Sequence, residues 1–133
     1  MVNLSEKEIL ELIDEAVEIS KKAYVNYSHF PVGAVLIDEN GRKFKGVNVE
    51  NASFGLSLCA ERNAITTAVT DGMKKIKTLV VTGDTERPIS PCGACRQFML
   101  EFADENTVII LSNYNREYKI CSMEDLLPYS FKL

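Results

Sequence analysis

The fold class is decided by residues 59–111, which read CAERNAITTAVTDGMKKIKTLVVTGDTERPISPCGACRQFMLEFADENTVIIL. Apolar residues recur at helical spacing in two parts of this stretch, which predicts helices from Cys59 to Asp71 and from Cys92 to about Ala103. Each part is followed by a short run rich in β-branched residues, which predicts strands from Lys77 to Thr82 and from Val108 to Leu111. Helices and strands that alternate in this way indicate an α/β protein.

The helix ends are predicted from residues with known positional preferences. Gly72 is expected to terminate the first of these helices, because glycine readily adopts the left-handed conformation that follows many helices. Ser90 and Pro91 are expected to begin the second helix, as its N-cap and its first helical residue. Ser5 followed by Glu8 is a capping box that predicts a further helix near the amino terminus. The apolar positions of this helix and the lysines expected near its end are Ile9, Leu12, Ile13, Ala16, Ala23, Lys21 and Lys22.

The remaining elements are short strands and one short helix. Val32 to Ile37 predicts a buried strand, and Asp38 to Gly41 predicts a hairpin turn that leads into a second strand from Arg42 to Val49. Tyr118 to Cys121 predicts a further strand, and Met123 to Leu127 a short closing helix. No linker or repeat interrupts residues 1–133, so we expect one domain. Its architecture is predicted as three α/β/α layers around a mixed central sheet of about five strands.

Composition narrows the class of function. The chain has 133 residues and a formal net charge of −4, and no basic cluster offers a groove for a nucleic-acid polymer. The longest apolar stretches, such as Val108 to Leu111, are too short to cross a membrane. The first eight residues, MVNLSEKE, lack the pattern of a secretory signal. We therefore expect a cytoplasmic protein that acts on a small molecule, with its cysteines reduced.

Two short segments carry the chemistry: Cys59-Ala60-Glu61 and, further along, Pro91-Cys92-Gly93-Ala94-Cys95. Cys92 and Cys95 are three residues apart on a predicted helix, so both can reach one ion, and Cys59 is predicted at the start of another helix. Positive helix ends stabilise thiolates, and three thiolates favour zinc. Three protein ligands are typical of a catalytic zinc site with one open position.

Glu61 follows Cys59 by two residues and is predicted to stay beside the ion without binding it. There it can move protons between an activated water and a leaving group, as the glutamate of the zinc deaminases does. Two alternatives stay open on these residues. The pair Cys92 and Cys95 could serve a thiol–disulfide oxidoreductase, or Cys121 could complete a closed, non-catalytic zinc site. Cys121 is otherwise expected to be a buried, inert thiol.

The sequence also resembles the small homotetrameric cytidine deaminases along nearly its whole length. The motifs that carry this resemblance are Tyr27 to Ala34 (YSHFPVGA), Gly46 to Ser53 (GVNVENAS), Cys59 to Arg62 (CAER), Ser90 to Gln97 (SPCGACRQ), and Leu126 to Pro128 (LLP) with Phe131. Blasticidin deaminases share the metal motifs, but the stretch Asn48 to Ser53 and Arg62 look like the cytidine enzymes. The resemblance implies a homotetramer with one Zn²⁺ in each chain.

The resemblance also implies roles for individual residues. Asn48 and Glu50 would bind the ribose hydroxyls, from one face of a strand, and Arg62, with Gln97, would donate hydrogen bonds that withdraw charge from the zinc-bound sulfurs. Phe54 stands where the family usually has tyrosine, so a packing role is implied and a hydrogen bond is not. The implied substrate-contacting residues are Asn48, Glu50, Phe30, Ala60, Phe54 and, from a neighbouring subunit, Phe131.

The activity implied by the resemblance is hydrolytic deamination of cytidine and 2′-deoxycytidine to the uridines, with release of ammonia, a step of pyrimidine salvage. Deaminases that act on nucleotides or on bases in a polynucleotide are the alternative within the same chemistry. The pair Asn48 and Glu50 favours a free nucleoside, and the acidic composition disfavours a polynucleotide.

Overall fold

The computed structural model describes residues 4–133, and residues 1–3 of the polar amino-terminal segment lie outside the described residues. The helices are α1 (Glu6–Ser20), α2 (Ala60–Thr70), α3 (Gly93–Leu100) and α4 (Met123–Leu126). The strands are β1 (Val32–Asp38), β2 (Lys43–Val47), β3 (Ile76–Gly83), β4 (Val108–Asn113) and β5 (Tyr118–Cys121). A short 3₁₀ helix covers Phe54–Leu56. Among residues 4–133, none of the helices combines the length and the apolar character that a membrane-spanning segment needs.

The five strands form one mixed sheet in the order β2-β1-β3-β4-β5. Strands β3 and β4 run parallel, with Val80 opposite Ile110, and the other neighbouring pairs are antiparallel. The parallel pair needs a crossover connection, and α3 supplies it. The predicted α/β class and mixed five-stranded sheet are confirmed.

Alternate residues of the central strands bury against different helices. Leu79 and Val81 of β3 belong to the core that contains residues of α2 and α3, whereas Val80 packs in the core on the α1 side. Because side chains of a strand alternate between the two faces of the sheet, β3 is covered on both faces. The predicted three layers are confirmed by this arrangement.

Helix α1 begins as predicted and ends earlier than predicted. The capping box is present, with Ser5 accepting from Glu8 N and the Glu8 carboxylate accepting from Ser5 N. The helix ends at Ser20, so the interpretation of Ala23 as one of its apolar positions is wrong. The chain turns away because Tyr24 N donates to Asn48 O at 3.0 Å, which draws this segment along the end of β2.

The start of α3 also differs from the prediction. Its N-cap is Cys92, and the helix spans Gly93–Leu100, so Ser90 and Pro91 precede the helix and do not begin it. The side chain of Arg96 holds both residues in this extended segment, since Nη2 donates to Ser90 Oγ at 2.7 Å and Nε donates to Pro91 O at 2.8 Å. Helix α3 consequently starts with the sulfur of Cys92 beside its free N–H groups.

Gly46 sets the position of α2 on the sheet. A Cβ atom at Gly46 would lie 2.4 Å from Ala64 N and 2.5 Å from Ala60 O, which are backbone atoms of α2. Helix α2 would have to move away from β2 to accept a methyl group. We expect Gly46→Ala to lower the free energy of unfolding by about 3 kcal/mol, the upper part of the range for overpacking, in urea denaturation followed by circular dichroism.

Gly55→Ala is the matched control for this substitution. The site of its Cβ is open, with no heavy atom within 4 Å, so the same glycine-to-alanine change should leave the unfolding midpoint unchanged. Equal stability of the Gly46→Ala and Gly55→Ala proteins would contradict the close packing of α2 on β2.

Candidate active site

The amino-terminal ends of α2 and α3 bring three cysteines together. Cys59 is the N-cap of α2, Cys92 is the N-cap of α3, and Cys95 is buried in the first turn of α3. Neither N-cap side chain accepts a hydrogen bond from its helix. The positive ends of two helix dipoles are therefore available to stabilise thiolates at this point.

The spacing of the three sulfurs fits a zinc ion. Cys59 Sγ lies 4.0 Å from Cys92 Sγ, and Cys92 Sγ lies 3.5 Å from Cys95 Sγ. All three sulfurs lie within 4.8 Å of one another. Tetrahedral zinc with Zn–S bonds of about 2.3 Å places its sulfur ligands about 3.8 Å apart. The cluster is positioned to bind a metal ion, and three thiolates are the donor set of a zinc site with one position for water or substrate.

Cys121 is not part of this cluster. It lies on β5, is 5% exposed, and is absent from the metal-binding group found in the described part of the chain. The predicted burial of this thiol is confirmed. The alternative in which Cys121 is the fourth ligand of a closed zinc site is therefore not supported.

Arg62 lies behind the cluster in α2. Its Nη2 donates to Cys59 Sγ at 3.7 Å and to Ser57 O at 3.4 Å. Its Nε is buried and has no hydrogen-bond partner among residues 4–133. A guanidinium at this distance withdraws charge from the sulfur, which is the effect that the resemblance implies for Arg62. Three thiolates carry more charge than one zinc neutralises, so a cation beside them lowers the cost of assembling the site.

The thiols of Cys59 and Cys95 have opposite pKa shifts. The pKa of Cys59 is lowered to about 5, chiefly because the Cys95 thiol donates to its sulfur, with burial opposing and Arg62 assisting. The pKa of Cys95 is raised, because its proton is held by Cys59 and because it is buried beside Glu61. Cys59 is thus held at neutral pH in the thiolate form that binds metals.

Glu61 is a buried carboxyl group directly beside the cysteines. It lies in the first turn of α2 and is only 4% exposed. Burial raises the pKa of Glu61 to about 7, and the negative charge of Cys59 adds to the rise, while its own backbone N–H and Arg62 oppose it. A carboxyl group with a pKa near neutrality can both accept and donate a proton at physiological pH.

A pocket of about 260 Å³ opens onto the cysteines and Glu61. Its lining residues are Val32, Asn48, Glu50, Ser57, Leu58, Cys59, Ala60, Glu61, Ile89, Ser90, Pro91 and Cys92. Three predicted substrate-contacting residues, Asn48, Glu50 and Ala60, therefore line the same pocket as the metal cluster. The metal cluster, the buried carboxyl group of Glu61 and the polar wall formed by Asn48 and Glu50 therefore border the same pocket.

Asn48 and Glu50 lie beyond the strand on which they were predicted. Strand β2 ends at Val47, so the prediction that it continues to Val49 is wrong. The chain stays extended there because Val49 bridges to Leu58 and the backbone of Tyr24 pairs on its other side. Asn48 and Glu50 still line one pocket, because alternation needs only an extended backbone.

The Asn48 amide is held by Phe30 and by Val32, the first residue of β1. Its Oδ1 accepts from Val32 N at 2.9 Å, and its Nδ2 donates to Phe30 O at 2.9 Å. Glu50 accepts from Tyr27 N at 3.1 Å, from Ser28 N at 3.0 Å and from the Ser28 hydroxyl. These hydrogen bonds from Ser28 hold the pKa of Glu50 below its usual value. Both side chains are therefore oriented by the backbone of residues 27–32.

The three other predicted substrate-contacting residues do not line this pocket. Phe30 is half-buried, and its ring would be 3.2 Å from a Cβ on Gly83, so it packs against the end of β3. Phe54 is 82% exposed and lines a neighbouring cavity of about 380 Å³ that shares Glu50 with the first. Phe131 is 68% exposed near the end of the chain.

Gln97 lies elsewhere than the resemblance implies. Its side chain is exposed, and Nε2 donates to Phe131 O at 3.2 Å. In this structure Gln97 therefore holds the carboxyl-terminal segment on α3. Among its hydrogen bonds within residues 4–133, none goes to a sulfur of the cluster.

Arg96 was not predicted from the sequence as a site residue, but it contacts the segment that carries Cys92. A signal was available, because Arg96 lies in the first turn of α3, where the helix dipole disfavours a cation. Arg62 lies at the corresponding point of α2, in its first turn.

An α/β/α fold with three cysteines at two helix starts and a buried glutamate beside them is typical of the zinc deaminases. Comparison with known families agrees, since residues 6–111 match the family model described as cytidine and deoxycytidylate deaminase zinc-binding region. The chain belongs to the cytidine and deoxycytidylate deaminase family. Its cofactor is Zn²⁺, as both the zinc-binding region and the three-cysteine cluster indicate.

Individual relatives and solved structures show the same likeness. The chain is 42% identical to the cytidine deaminase of Sporosarcina psychrophila over 124 residues, which cover 93% of this chain and 91% of the relative. It is 30% identical to the blasticidin-S deaminase of Bacillus cereus, covering 97% and 95%. The crystal structure of cytidine deaminase from Burkholderia pseudomallei superposes with a TM-score of 0.87 at 43% identity, covering 91% of this chain and 97% of that one.

Proposed function

We propose that this chain catalyses the zinc-dependent hydrolysis of cytidine and 2′-deoxycytidine to uridine and 2′-deoxyuridine, with release of ammonia. The observation that carries this proposal is the position of Glu61. Its carboxyl group is buried, lies two residues from a thiolate of the metal cluster, and lines a pocket that also contains Asn48 and Glu50. An acid–base group, a metal site and groups for a sugar thus share one cavity.

Glu61 moves the protons of the proposed reaction. Zinc, when bound by Cys59, Cys92 and Cys95, supplies activation of the attacking water. As the oxygen of that water forms a bond to C4 of cytosine, Glu61 accepts one of its protons and passes it to N3. Glu61 then takes the remaining hydroxyl proton and donates it to the amino group at C4. The carbon–nitrogen bond breaks, ammonia leaves, and a carbonyl oxygen replaces the amine. Burial suits Glu61 to this task, because it keeps the carboxyl group able to hold a proton near neutral pH.

The polar wall of the pocket favours a nucleoside over a nucleotide. Asn48 and Glu50 offer an amide and a carboxylate to sugar hydroxyls. Within residues 4–133, the residues that line the pocket and the adjoining cavity include no lysine or arginine. A phosphate group would meet the negative charge of Glu50 without a cation to bind it. Phe30, Ala60 and Phe54 are proposed to pack against the base and sugar, in keeping with their apolar side chains.

Release of ammonia from cytidine by the zinc-loaded protein tests the proposed function. We expect uridine and ammonia in equal amounts, with 2′-deoxycytidine also converted and cytidine 5′-monophosphate converted much more slowly. Folded protein that holds one zinc per chain and leaves both nucleosides unchanged would rule out the proposed substrate.

A deaminase of a related nucleoside analogue is the second candidate. The 30% identity to a blasticidin-S deaminase over 97% of this chain supports testing blasticidin S beside cytidine. Preference for blasticidin S would favour this candidate. The predicted alternative of a thiol–disulfide oxidoreductase leaves Cys59 and Glu61 without a task, and reduction of insulin disulfides in place of ammonia release would favour it.

We also propose that the chain forms a homotetramer with active sites near the interfaces between subunits. Large apolar side chains are exposed beside the pocket and near the carboxyl end, namely Phe54 at 82%, Leu56 at 64% and Phe131 at 68%. Exposed apolar surface of this kind is typical of interfaces. Sedimentation velocity should give about four times the mass of one chain, and a monomer at micromolar concentration would contradict the proposal.

The cellular setting completes the proposed function. We propose a cytoplasmic protein of pyrimidine salvage, which returns cytosine nucleosides to the uridine pool. All four cysteines lie within the described residues and are free thiols, and a reducing compartment would keep the three of the cluster available for zinc.

A further inference from the structure

Arg96 connects the metal cluster to the carboxyl-terminal helix. It lies directly after Cys95 in α3, and its guanidinium donates to three acceptors on two other parts of the chain. Nε donates to Pro91 O at 2.8 Å and Nη2 to Ser90 Oγ at 2.7 Å, both in the segment that leads into Cys92. Nη1 donates to Leu126 O at 2.6 Å, at the last residue of α4.

The segment before Cys92 has few other hydrogen bonds, although Pro91 within it is buried. It is neither helix nor strand, and Cys92 itself is exposed although its sulfur belongs to the cluster. The backbone hydrogen bond that precedes it is Ile89 N to Ser112 O, at 3.0 Å. Between that bond and the first turn of α3, Arg96 supplies hydrogen bonds to two consecutive residues. Bonds from a charged donor are stronger than neutral ones, so they restrict this segment effectively.

The third acceptor ties the same guanidinium to α4. Carbonyl groups at a helix C-terminus lack intrahelical donors and are favourable partners for a cation. Leu126 O is such a carbonyl, and it is thirty residues from Arg96 in sequence. Arg96 therefore links α4 to the segment that carries Cys92 through the hydrogen bonds of one guanidinium group.

We propose that Arg96 is a positioning residue that fixes the segment Ser90–Cys92 against the end of α4, and thereby holds the Cys92 sulfur within reach of the other two thiols. Arg96 thereby raises the affinity for zinc, because it fixes the position of one ligand, the sulfur of Cys92. The guanidinium is required because its planar fork reaches three acceptors in different directions, and the single ammonium group of lysine has no such fork.

The test compares zinc affinity in Arg96→Ala and Arg42→Ala. Arg42 is a matched control, because its guanidinium also binds several acceptors, at Asp38 and Asp71, and these lie away from the cluster. Affinity is measured by competition with a chromophoric zinc chelator at a temperature where both variants are folded. We expect Arg96→Ala to bind zinc about 10-fold to 100-fold more weakly, as removal of groups that orient metal ligands does. Arg42→Ala should lower the thermal midpoint and leave zinc affinity unchanged.

Cobalt in place of zinc provides a second readout that general stability does not affect. The visible absorption of thiolate-bound Co²⁺ depends on the coordination geometry, so the spectrum of Arg96→Ala should change and that of Arg42→Ala should not. Native zinc affinity together with a native cobalt spectrum in Arg96→Ala would overturn the proposal. Equal loss of zinc affinity in Arg42→Ala would overturn it as well.

Arg96→Lys decides the question if Arg96→Ala fails to fold. Lysine keeps the charge and most of the apolar stem, so folding should persist while zinc affinity falls about 5-fold. Native affinity in Arg96→Lys would contradict the role assigned to the guanidinium. This inference rests on the zinc site of the proposed function and not on its substrate. If the unmodified protein bound no zinc, the proposed zinc site itself would be wrong. If the Arg96 variants kept native zinc affinity, only the role assigned to Arg96 would be wrong.

Discussion

Replacing Glu61 with glutamine should lower the turnover number for cytidine by about 10²-fold to 10⁴-fold, the contribution of a positioned acid–base group. Glutamine has nearly the same volume and fits the site of a side chain that is 4% exposed, but its amide neither accepts nor releases a proton near neutral pH. Because Glu61 is not one of the three residues in the metal cluster, the variant should retain one zinc per chain. Ammonia release and elemental analysis of the purified protein measure the two quantities.

The control for this substitution is Glu124→Gln. Glu124 is exposed in the first turn of α4 and does not line the pocket, so the same chemical change there should leave turnover unchanged. Full activity of the Glu61→Gln variant would contradict the role of Glu61 in proton transfer. Loss of zinc together with activity would show that the residue supports the metal site and does not only move protons.

Replacing Cys92 with alanine should reduce bound zinc to less than about one tenth of the native content, because two thiolates hold zinc far more weakly than three. The thermal midpoint should fall to that of native protein stripped of zinc by a chelator, since the free energy of metal binding contributes to folding. The exposed position of Cys92 means that the lost sulfur leaves no buried cavity. The fall in stability would therefore report the missing metal.

Cys121→Ala is the matched control for Cys92→Ala. It also removes one thiol, but from a buried site on β5 outside the cluster. We expect its zinc content to stay native while its stability falls by about 1 kcal/mol, as for other small losses of buried volume. Native zinc content in Cys92→Ala would argue against the three-cysteine site, and zinc loss in Cys121→Ala would bring Cys121 into it.

Much of the fold can be predicted from the sequence because the patterns that specify helix starts and turns extend over only a few residues. The capping box of Ser5 and Glu8 acts over three residues, and it starts α1 as predicted. The turn between β1 and β2 is likewise local, with Gly41 at a φ of 81° where glycine is favoured. Helix α3 shows the limit of such signals, since Ser90 and Pro91 have the residue types of a helix start and yet precede the helix.

The candidate site likewise has some features that could be predicted from the sequence and others that could not. The spacing of Cys92 and Cys95 places both thiols on one helix turn, so their shared role was predictable from sequence. Cys59 was predicted at the same site from its place at another helix start, and the structure places the sulfurs of Cys59 and Cys92 4.0 Å apart. The extended course of Asn48 and Glu50 beyond β2 depends on pairing with distant backbone, and strand periodicity alone assigned it to the wrong element.

By itself the sequence determined the α/β class, the family resemblance and the three cysteines of the candidate metal site, because each follows from residue types in short local motifs. Only the tertiary structure decided the burial that raises the pKa of Glu61 to about 7. It alone also brought Arg96 to Leu126 O at 2.6 Å, across thirty residues of chain. The physical reason is that desolvation and long-range hydrogen bonds depend on which surfaces the packed layers bring together. The spacing of residues along the chain does not predict which surfaces come into contact.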